Sequence, residues 1–351
     1  MRIGMPLSYS GGFTETVAEL ADYAKAGLDI VFVPEAYSFD AVSQLGFIAA
    51  RIERLEIASG ILQIYTRTPA LTAMTAAGLD YVSGGRFTLG IGASGPQVIE
   101  GFHGVPYTAP LGRTRELVEI CRTVWRRDRL EHQGRYYQIP LPADRGTGLG
   151  KPLKLINHPV RKRIPIIIAA IGPKNVALAA EIAEGWEPIF YLPERAAEVW
   201  GAALAQGSAK RDPALGDLDI VVAAPLAITD DADTAAGLRD AIRPMLALYL
   251  GGMGAKGRNF YNDLACRYGF AAAAEAVQDL YLAGKKDDAA AAVPDELLRR
   301  TSLIGPVGYV RDRLEVLRAC GVTTLNVTPM AGSAAGRVRL IGRISDLAGD
   351  L

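Results

Sequence analysis

The chain has 351 residues, 50% of them hydrophobic, which excludes a disordered chain and suffices for one large α/β domain or two ordinary ones. Lysines and arginines number 38, matched by 38 aspartates and glutamates, so no net field favours nucleic acid or an anionic membrane, and a small-molecule enzyme fits. Cys121, Cys266 and Cys320 stand far apart without C-x-x-C spacing, which argues against a disulfide framework or zinc cluster and for the reducing cytoplasm.

The N-terminus, MRIGMPLSYSGG, shows no apolar signal segment, and RIGMPL reads as a first strand. FTETVAELADYAKAG follows as a helix, with Val17, Leu20, Ala21 and Ala24 on one face and Gly27 at its end. DIVFVPE is a second strand and FDAVSQLGFIAARI its helix. LEIASGIL is a third strand, with Pro69 opening the helix PALTAMTAAGLDYVS. RFTLGIG is the fourth, and its helix, GRTRELVEICRTVWRR, comes only after a long loop. Between about 128 and 163 the periodicity lapses, which predicts a functional insertion. IPIIIAAIG resumes as the fifth strand, far short of the ~20 residues of a membrane span, and PKNVALAAEIAEG is its helix. WEPIFYL and DIVVAAPLAI are the sixth and seventh strands. A helical excursion over roughly 232–302, interrupted at LGGMGAKGRN, precedes the helix PVGYVRDRLEVLRACG. VTTLNVTP is the eighth strand and AAGRVRLIGRISDLAG the closing helix.

This alternation predicts a single (β/α)8 barrel over residues 1–351, with an insertion after the fourth unit and extra helices before the eighth strand. The alternative is a doubly wound open sheet.

The stretch TLGIGASGPQ holds Gly90, Gly92 and Gly95 in G-x-G-x-x-G order. A dinucleotide fingerprint needs a first strand before it and an acidic residue about 20 positions later. Here three β/α units precede it, and the basic helix start PLGRTRELVEI follows. Gly90 and Gly92 therefore read as letting the fourth strand bend and pack inside a barrel. Ser94, Gly95, Pro96 and Gln97 lie past its C-terminal end, on the face where barrel sites are built. The same face would gather Ser8, Tyr9, Glu35, Gly60, Ile61, Tyr65, Thr66 and the run Gly172-Pro173-Lys174-Asn175.

In that run a strand ends and a helix begins. Its bare N–H groups, the helix dipole and Lys174 suit a phosphate; the plainer reading is a helix start with a solvent-facing lysine. Glu35 closes an apolar strand, either as a partly buried carboxylate of raised pKa or as a charge capping the next helix or pairing with an arginine. His103 is placed to face the mouth, and His132 and His158 fall in the insertion. None has ligand spacing to another, so no metal is expected. No G-x-S-x-G elbow supports a serine hydrolase. Lys151, Lys154, Arg161, Lys162 and Arg163 form a basic run that is either a solvated loop or an attractor for an extended acidic ligand.

The segments SGILQIYTRTPALTAMTAAGLDYVSGGRFTLGIGASGPQVIEGFHGVPY, GTGLGKPLKL and IPIIIAAIGPKNVALAAEIAEGW closely resemble the luciferase-like monooxygenase superfamily, and within it most of all the branch that uses the deazaflavin coenzyme F420. The resemblance implies a deazaflavin across the C-terminal mouth and hydride transfer at its C5 carbon. It also implies a non-prolyl cis peptide at Gly60-Ile61 behind the ring, with Tyr65, Thr66, Ser94, Gly95 and Pro96 beside it. The phosphate would rest on Gly172, Pro173, Lys174 and Asn175, and an acidic tail would run toward the basic insertion. Alcohol-oxidising members look as if they carry Asp-His after the second strand and a glutamate after the fourth, where this chain has Glu35-Ala36 and Gly95-Pro96-Gln97. Without that base the expected reaction is reduction of an activated C=C or C=O bond in an apolar substrate, with Glu35, Gln97 and His103 orienting or protonating it. The alternatives are an FMN-dependent monooxygenase on the same barrel and a non-catalytic F420 carrier or sensor. A cytoplasmic homodimer without nucleic-acid partner or membrane span completes the expectation.

Overall fold

The computed structural model describes residues 1–9 and 11–350. Within them eight parallel strands close into a ring: β1 (Arg2–Pro6), β2 (Ile30–Val33), β3 (Glu56–Ser59, resuming as Leu62–Gln63), β4 (Phe87–Gly92), β5 (Ile166–Ala169), β6 (Gly185–Glu187), β7 (Asp219–Ile228) and β8 (Thr324–Pro329). Closure comes from β1 pairing with β8, where Arg2 stands opposite Thr324. The outer shell is α1 (Phe13–Lys25), α2 (Ala41–Arg51), α3 (Pro69–Val82), α4 (Pro110–Trp125), α5 (Pro173–Ile182), α6 (Pro193–Ser208), α7 (Val307–Ala319) and α8 (Ala334–Gly349). This is the expected (β/α)8 barrel, each strand lying where the alternation of the sequence puts it. The sequence reading passed over α6 and a short strand, Leu303–Gly305, that pairs with the upper half of β7.

Both faces of each strand are covered, so the strands read as continuous apolar runs. In β2, Ile30 and Phe32 join Ala58, Ile167 and Val221 in a small inner plug. Val31 and Val33 point the other way, into the large core between strands and helices, as the two-residue period requires.

The inner plug leaves little room, and β3 breaks its ladder above it. Ala58 pairs with Thr88 and Leu62 with Ile91, so Ser59, Gly60 and Ile61 stand against Leu89 and Gly90 in a β-bulge. The Gly60-Ile61 peptide is cis. A Cβ on Gly90 would sit 1.8 Å from the Ser59 carbonyl oxygen, and one on Gly92 2.9 Å from Ile61 Cδ1. The glycine spacing of the fourth strand therefore makes room for the bulge of the third. Ser59 Oγ donates to the Gly90 carbonyl (2.8 Å) and accepts from its N–H (2.9 Å), so the interrupted ladder leaves neither group orphaned.

After α4 the chain forms the hairpin His132–Gln133/Gln138–Ile139, anchored by Glu116, which accepts the amides of Arg135, Tyr136 and Tyr137. It then runs down α3 to the N-terminal end of the barrel. There Arg161 binds Asp80 (Nε to Oδ1, 3.0 Å) and the Phe87 carbonyl, and Arg163 binds Glu184 (3.0 Å). Between β7 and β8 come the helices of the excursion, including a π-helical turn at Leu248–Gly252. Among the described residues no helix is long and apolar enough to cross a membrane.

Asp80 is fully buried, and removing its partner strands a charge in the core at a cost of roughly 3 kcal/mol or more. Arg161→Ala is expected to lower the unfolding free energy obtained by denaturant titration by that amount, against almost no change for Lys162→Ala; equal free energies for the two would refute the assignment.

Candidate functional site

The bulge places Ile61 and the side-chain-free backbone of Gly90 and Gly92 at the upper, C-terminal end of the barrel. Beyond β4, Ser94 takes φ +58°, the left-handed region unusual for a side-chain-bearing residue. Gly95 has φ −115° and caps the short helix Pro96–Ile99. The left-handed position is thus held by Ser94 and not by Gly95, and the Ser94 carbonyl accepts the Tyr107 hydroxyl at 3.3 Å. Gln97 is exposed beside Gly95, its Oε1 3.4 Å from where a Cβ on Gly95 would stand.

Tyr65 and Tyr107 pack with ring centroids 5.2 Å apart, and the Tyr65 hydroxyl donates to the Thr108 carbonyl at 3.0 Å. Burial pushes the pKa of both phenols up. Thr66 Oγ1 lies 3.4 Å from the Gln63 carbonyl. Gln63, only 2% exposed, donates its amide to the carbonyls of Glu35 (3.0 Å) and Ala36 (3.1 Å). His103 Nε2 lies 3.4 Å from that same Ala36 carbonyl. Strand ends two, three and four are in this way tied into one cluster holding Glu35, Tyr65, Thr66, Ser94 and His103.

Glu35 occupies the second of the two environments open to it. Its Oε1 accepts from Arg67 at 2.6 Å, and its Oε2 accepts from Arg67 and from the Ala41 amide at the start of α2, both at 2.9 Å. Arg67 also reaches Asp40 (2.9 Å). Both carboxylate oxygens are committed to arginine and helix cap, which opposes a role for Glu35 as a proton donor or base.

Gly172 caps α5 without a side-chain hydrogen bond, Pro173 fills the first helical position, and Lys174 is exposed. The amides of Lys174 and Asn175 thus open α5 unoccupied by a cap. The site lies beside β4, since Gly92 pairs with Ala169. Two arginines of the basic insertion do not join it: Arg161 and Arg163 close ion pairs at the other end of the barrel, while Lys151, Lys154 and Lys162 are exposed. The two arginines serve the floor because buried or half-buried acids there, Asp80 and Glu184, demand partners.

The rest of the mouth was not foreseen. Phe190, after β6, has φ +49°, and its ring meets Tyr249 (5.3 Å) and Tyr261 (6.4 Å), which contact each other at 4.8 Å. Tyr249 comes from the π-helical turn, a form frequent at functional sites. With Tyr9, itself 55% exposed, these rings make an aromatic wall. Within it Glu187 ends β6. Desolvation pushes its carboxyl up to about 7, partly opposed by a hydrogen bond from Asn326. Asn326 is itself 2% exposed, and its Oδ1 has no partner among the described residues. In the sequence Glu187 is a lone carboxylate inside the apolar stretch WEPIFYL, which carries no signal until the inward side of the strand is known.

Comparisons with known proteins agree with this geometry. The profile of the luciferase-like monooxygenase family matches residues 1–324. A Mycobacterium tuberculosis protein named as a coenzyme F420-dependent oxidoreductase is 44% identical over 340 residues, covering 95% of this chain and 96% of that protein. A 5,10-methylenetetrahydromethanopterin reductase of Archaeoglobus fulgidus is 30% identical, with 93% and 94% covered. Among solved structures, the coenzyme F420-dependent tetrahydromethanopterin reductase of Methanopyrus kandleri superposes with a TM-score of 0.80 at 20% identity, over 97% of each chain. An F420-dependent secondary alcohol dehydrogenase in complex with an F420-acetone adduct gives 0.76 at 16% identity, over 99% of this chain and 98% of the other. Sequence, barrel and mouth together place the chain in the luciferase-like monooxygenase family.

Proposed function

We propose that the chain is a coenzyme F420-dependent oxidoreductase that reduces an activated C=C or C=O bond of an apolar substrate. The whole chain would work as one cytoplasmic barrel domain, with the insertion at 128–163 and the helices of 232–302 attached to it. The observation that carries this reading is the pairing, on one face, of the Gly60-Ile61 bulge, for which Gly90 and Gly92 make room, with the uncapped start of α5 beside Lys174. A flat ring fits the first and a phosphate the second. The name carried by the relative at 44% identity supports the same cofactor.

Gly60, Ile61, Tyr65, Thr66, Ser94, Gly95 and Pro96 would hold the ring, and Gly172, Pro173, Lys174 and Asn175 the phosphate. When bound and reduced, a deazaflavin supplies a hydride from C5. The protein's part is to orient the substrate and exclude water, tasks for which the wall of Phe190, Tyr249 and Tyr261 is suited. Gln97, which is exposed, and His103, whose Nε2 is held 3.4 Å from the Ala36 carbonyl, would orient a substrate carbonyl. Glu35, clamped by Arg67, acts as a positioning residue that fixes the β2 end against α2.

We further propose a homodimer. Leu71, Met74 and Tyr81 recur at helical spacing on the outer face of α3 and are 46%, 53% and 68% exposed, an apolar stripe of the kind that marks interaction surfaces.

Fluorescence titration with F420 and FMN in parallel is expected to show F420 bound and FMN not. Tight FMN binding without F420 would transfer the chain to the FMN-dependent monooxygenase reading, and loss of F420 absorbance with any ketone or enone of a hydrophobic panel removes the carrier or sensor. Lys174→Ala is expected to weaken F420 roughly tenfold or more while leaving its phosphate-free core within about twofold; equal losses would refute the phosphate site. Met74→Asp should turn a dimer into a monomer in analytical ultracentrifugation, and a wild-type monomer would end the dimer proposal.

A further inference from the structure

The alternation of β6 decides where its carboxylate goes. Trp186 faces outward, its ring 5.2 Å from Trp200 and 6.4 Å from Tyr191 in edge-on contact, so the next residue, Glu187, turns to the inside of the ring. Its backbone is fixed there, since its carbonyl accepts the Ala170 amide at 3.2 Å. Two side chains reach it from other elements: Asn326 of β8, by a hydrogen bond, and Tyr9 from the end of β1. Behind Tyr9 stand Tyr249 and Tyr37, and Tyr261 lies against Tyr249. Among the described residues, the groups that act on Glu187 include no lysine, arginine or histidine. Glu35 and Glu187 are thus opposites: one is held as an anion by arginine, the other sits among neutral groups.

We propose that Glu187 is the acid that gives a proton to the substrate as it is reduced at the barrel mouth. The inference rests on the reductase reading above. In an enone, a hydride arriving at the β-carbon from a reduced deazaflavin leaves an enolate. The O–H bond of Glu187 then breaks as a C–H bond forms at the α-carbon, and the carboxylate takes a proton back from water. The substrate gains two electrons and two hydrogens, and the electrons come with the hydride. Asn326 is a positioning residue: its amide N–H donates to one carboxyl oxygen, so the other is left to carry the proton. Its unpartnered Oδ1 offers an acceptor on the same interior. The carboxyl raised to about 7 fits this role, because an acid works best when its pKa lies near the operating pH.

The test compares wild type with Glu187→Gln. Carbon-13 NMR of protein labelled at the glutamate side-chain carboxyl is expected to show one resonance titrating near pH 7 in the wild type and absent from the variant; a wild-type set titrating wholly below about pH 5 overturns the proposal. With reduced F420 and cyclohex-2-en-1-one, wild-type kcat/KM is expected to fall as pH rises through about 7, where the acid is lost. The variant should be slower by about 10²-fold or more, without that limb, and with F420 affinity by fluorescence unchanged within about threefold. In D2O the wild type should place deuterium on one face of the α-carbon and the variant on both. A variant that keeps the limb and the facial selectivity refutes the donor role. A wild type that binds no F420 or turns over no enone refutes the reductase reading and the donor role with it, while the NMR titration independently reports whether Glu187 holds a proton at neutral pH.

Discussion

Where Ser59, Gly60 and Ile61 face only Leu89 and Gly90, the backbone ladder of a closed barrel has to be completed by something other than backbone. Ser59 does this with one hydroxyl, serving both the N–H and the C=O of Gly90 at 0% exposure. Leaving either group bare would cost about 1–3 kcal/mol. The arrangement works only because Gly90 has no Cβ, which would collide with the Ser59 carbonyl. From that exchange follow the upward course of β3, the place of Ile61 at the mouth, and the position from which Gln63 holds the carbonyls of Glu35 and Ala36. The end of β2, the clamp of Arg67 on Glu35 and the seat of His103 all depend on the same bulge.

The two ends of the barrel handle charge differently. At the floor, Arg2 bridges Glu56 (2.9 Å) and Asp219 (2.6 Å), and Arg161 and Arg163 from the insertion close on Asp80 and Glu184. Those acids are saturated, so the floor is structural despite its many charges. At the mouth the inward-facing groups are phenols, an amide with an orphan oxygen and a carboxyl without a cation. Unsatisfied polar atoms in a protein of this size are few, and each one needs a reason. For Asn326 Oδ1 the reason is its place on the inside of the ring, beside Glu187.

The eight strands were legible because covered parallel strands carry uninterrupted Val, Ile and Leu runs, and each such run is bounded by glycine, proline or a helical period. The helix start at Gly172-Pro173-Lys174 was legible for a local reason, since proline at the first helical position needs no partner elsewhere. Glu35 was readable only as a choice, because the arginine that decides it stands 32 residues away and reaches it through the fold. Within the basic insertion, Arg161 was not legible as a structural residue: charge in a loop says nothing about which end of the barrel it will serve, and buried Asp80 claims it. Glu187 was passed over because a single acid in a short apolar strand signals nothing until the inward side of that strand is known. The left-handed turn at Ser94 was not legible, as the neighbouring Gly95 tolerates that region without being obliged to occupy it.

The aromatic wall and the neutral acid belong to one design. Phe190 spends an uncommon backbone conformation to turn its ring toward Tyr249 and Tyr261, which suits a ligand that displaces water rather than one that binds through charge. Displacing water from Glu187 disfavours its anion further, so an apolar substrate raises the proton affinity of the group that would protonate it. Lysine or arginine in that wall would have reversed the effect, holding the carboxylate charged as Arg67 holds Glu35. The absence of a cation among the groups acting on Glu187 therefore links the two proposals: an apolar substrate bound at this mouth would keep its acid loaded.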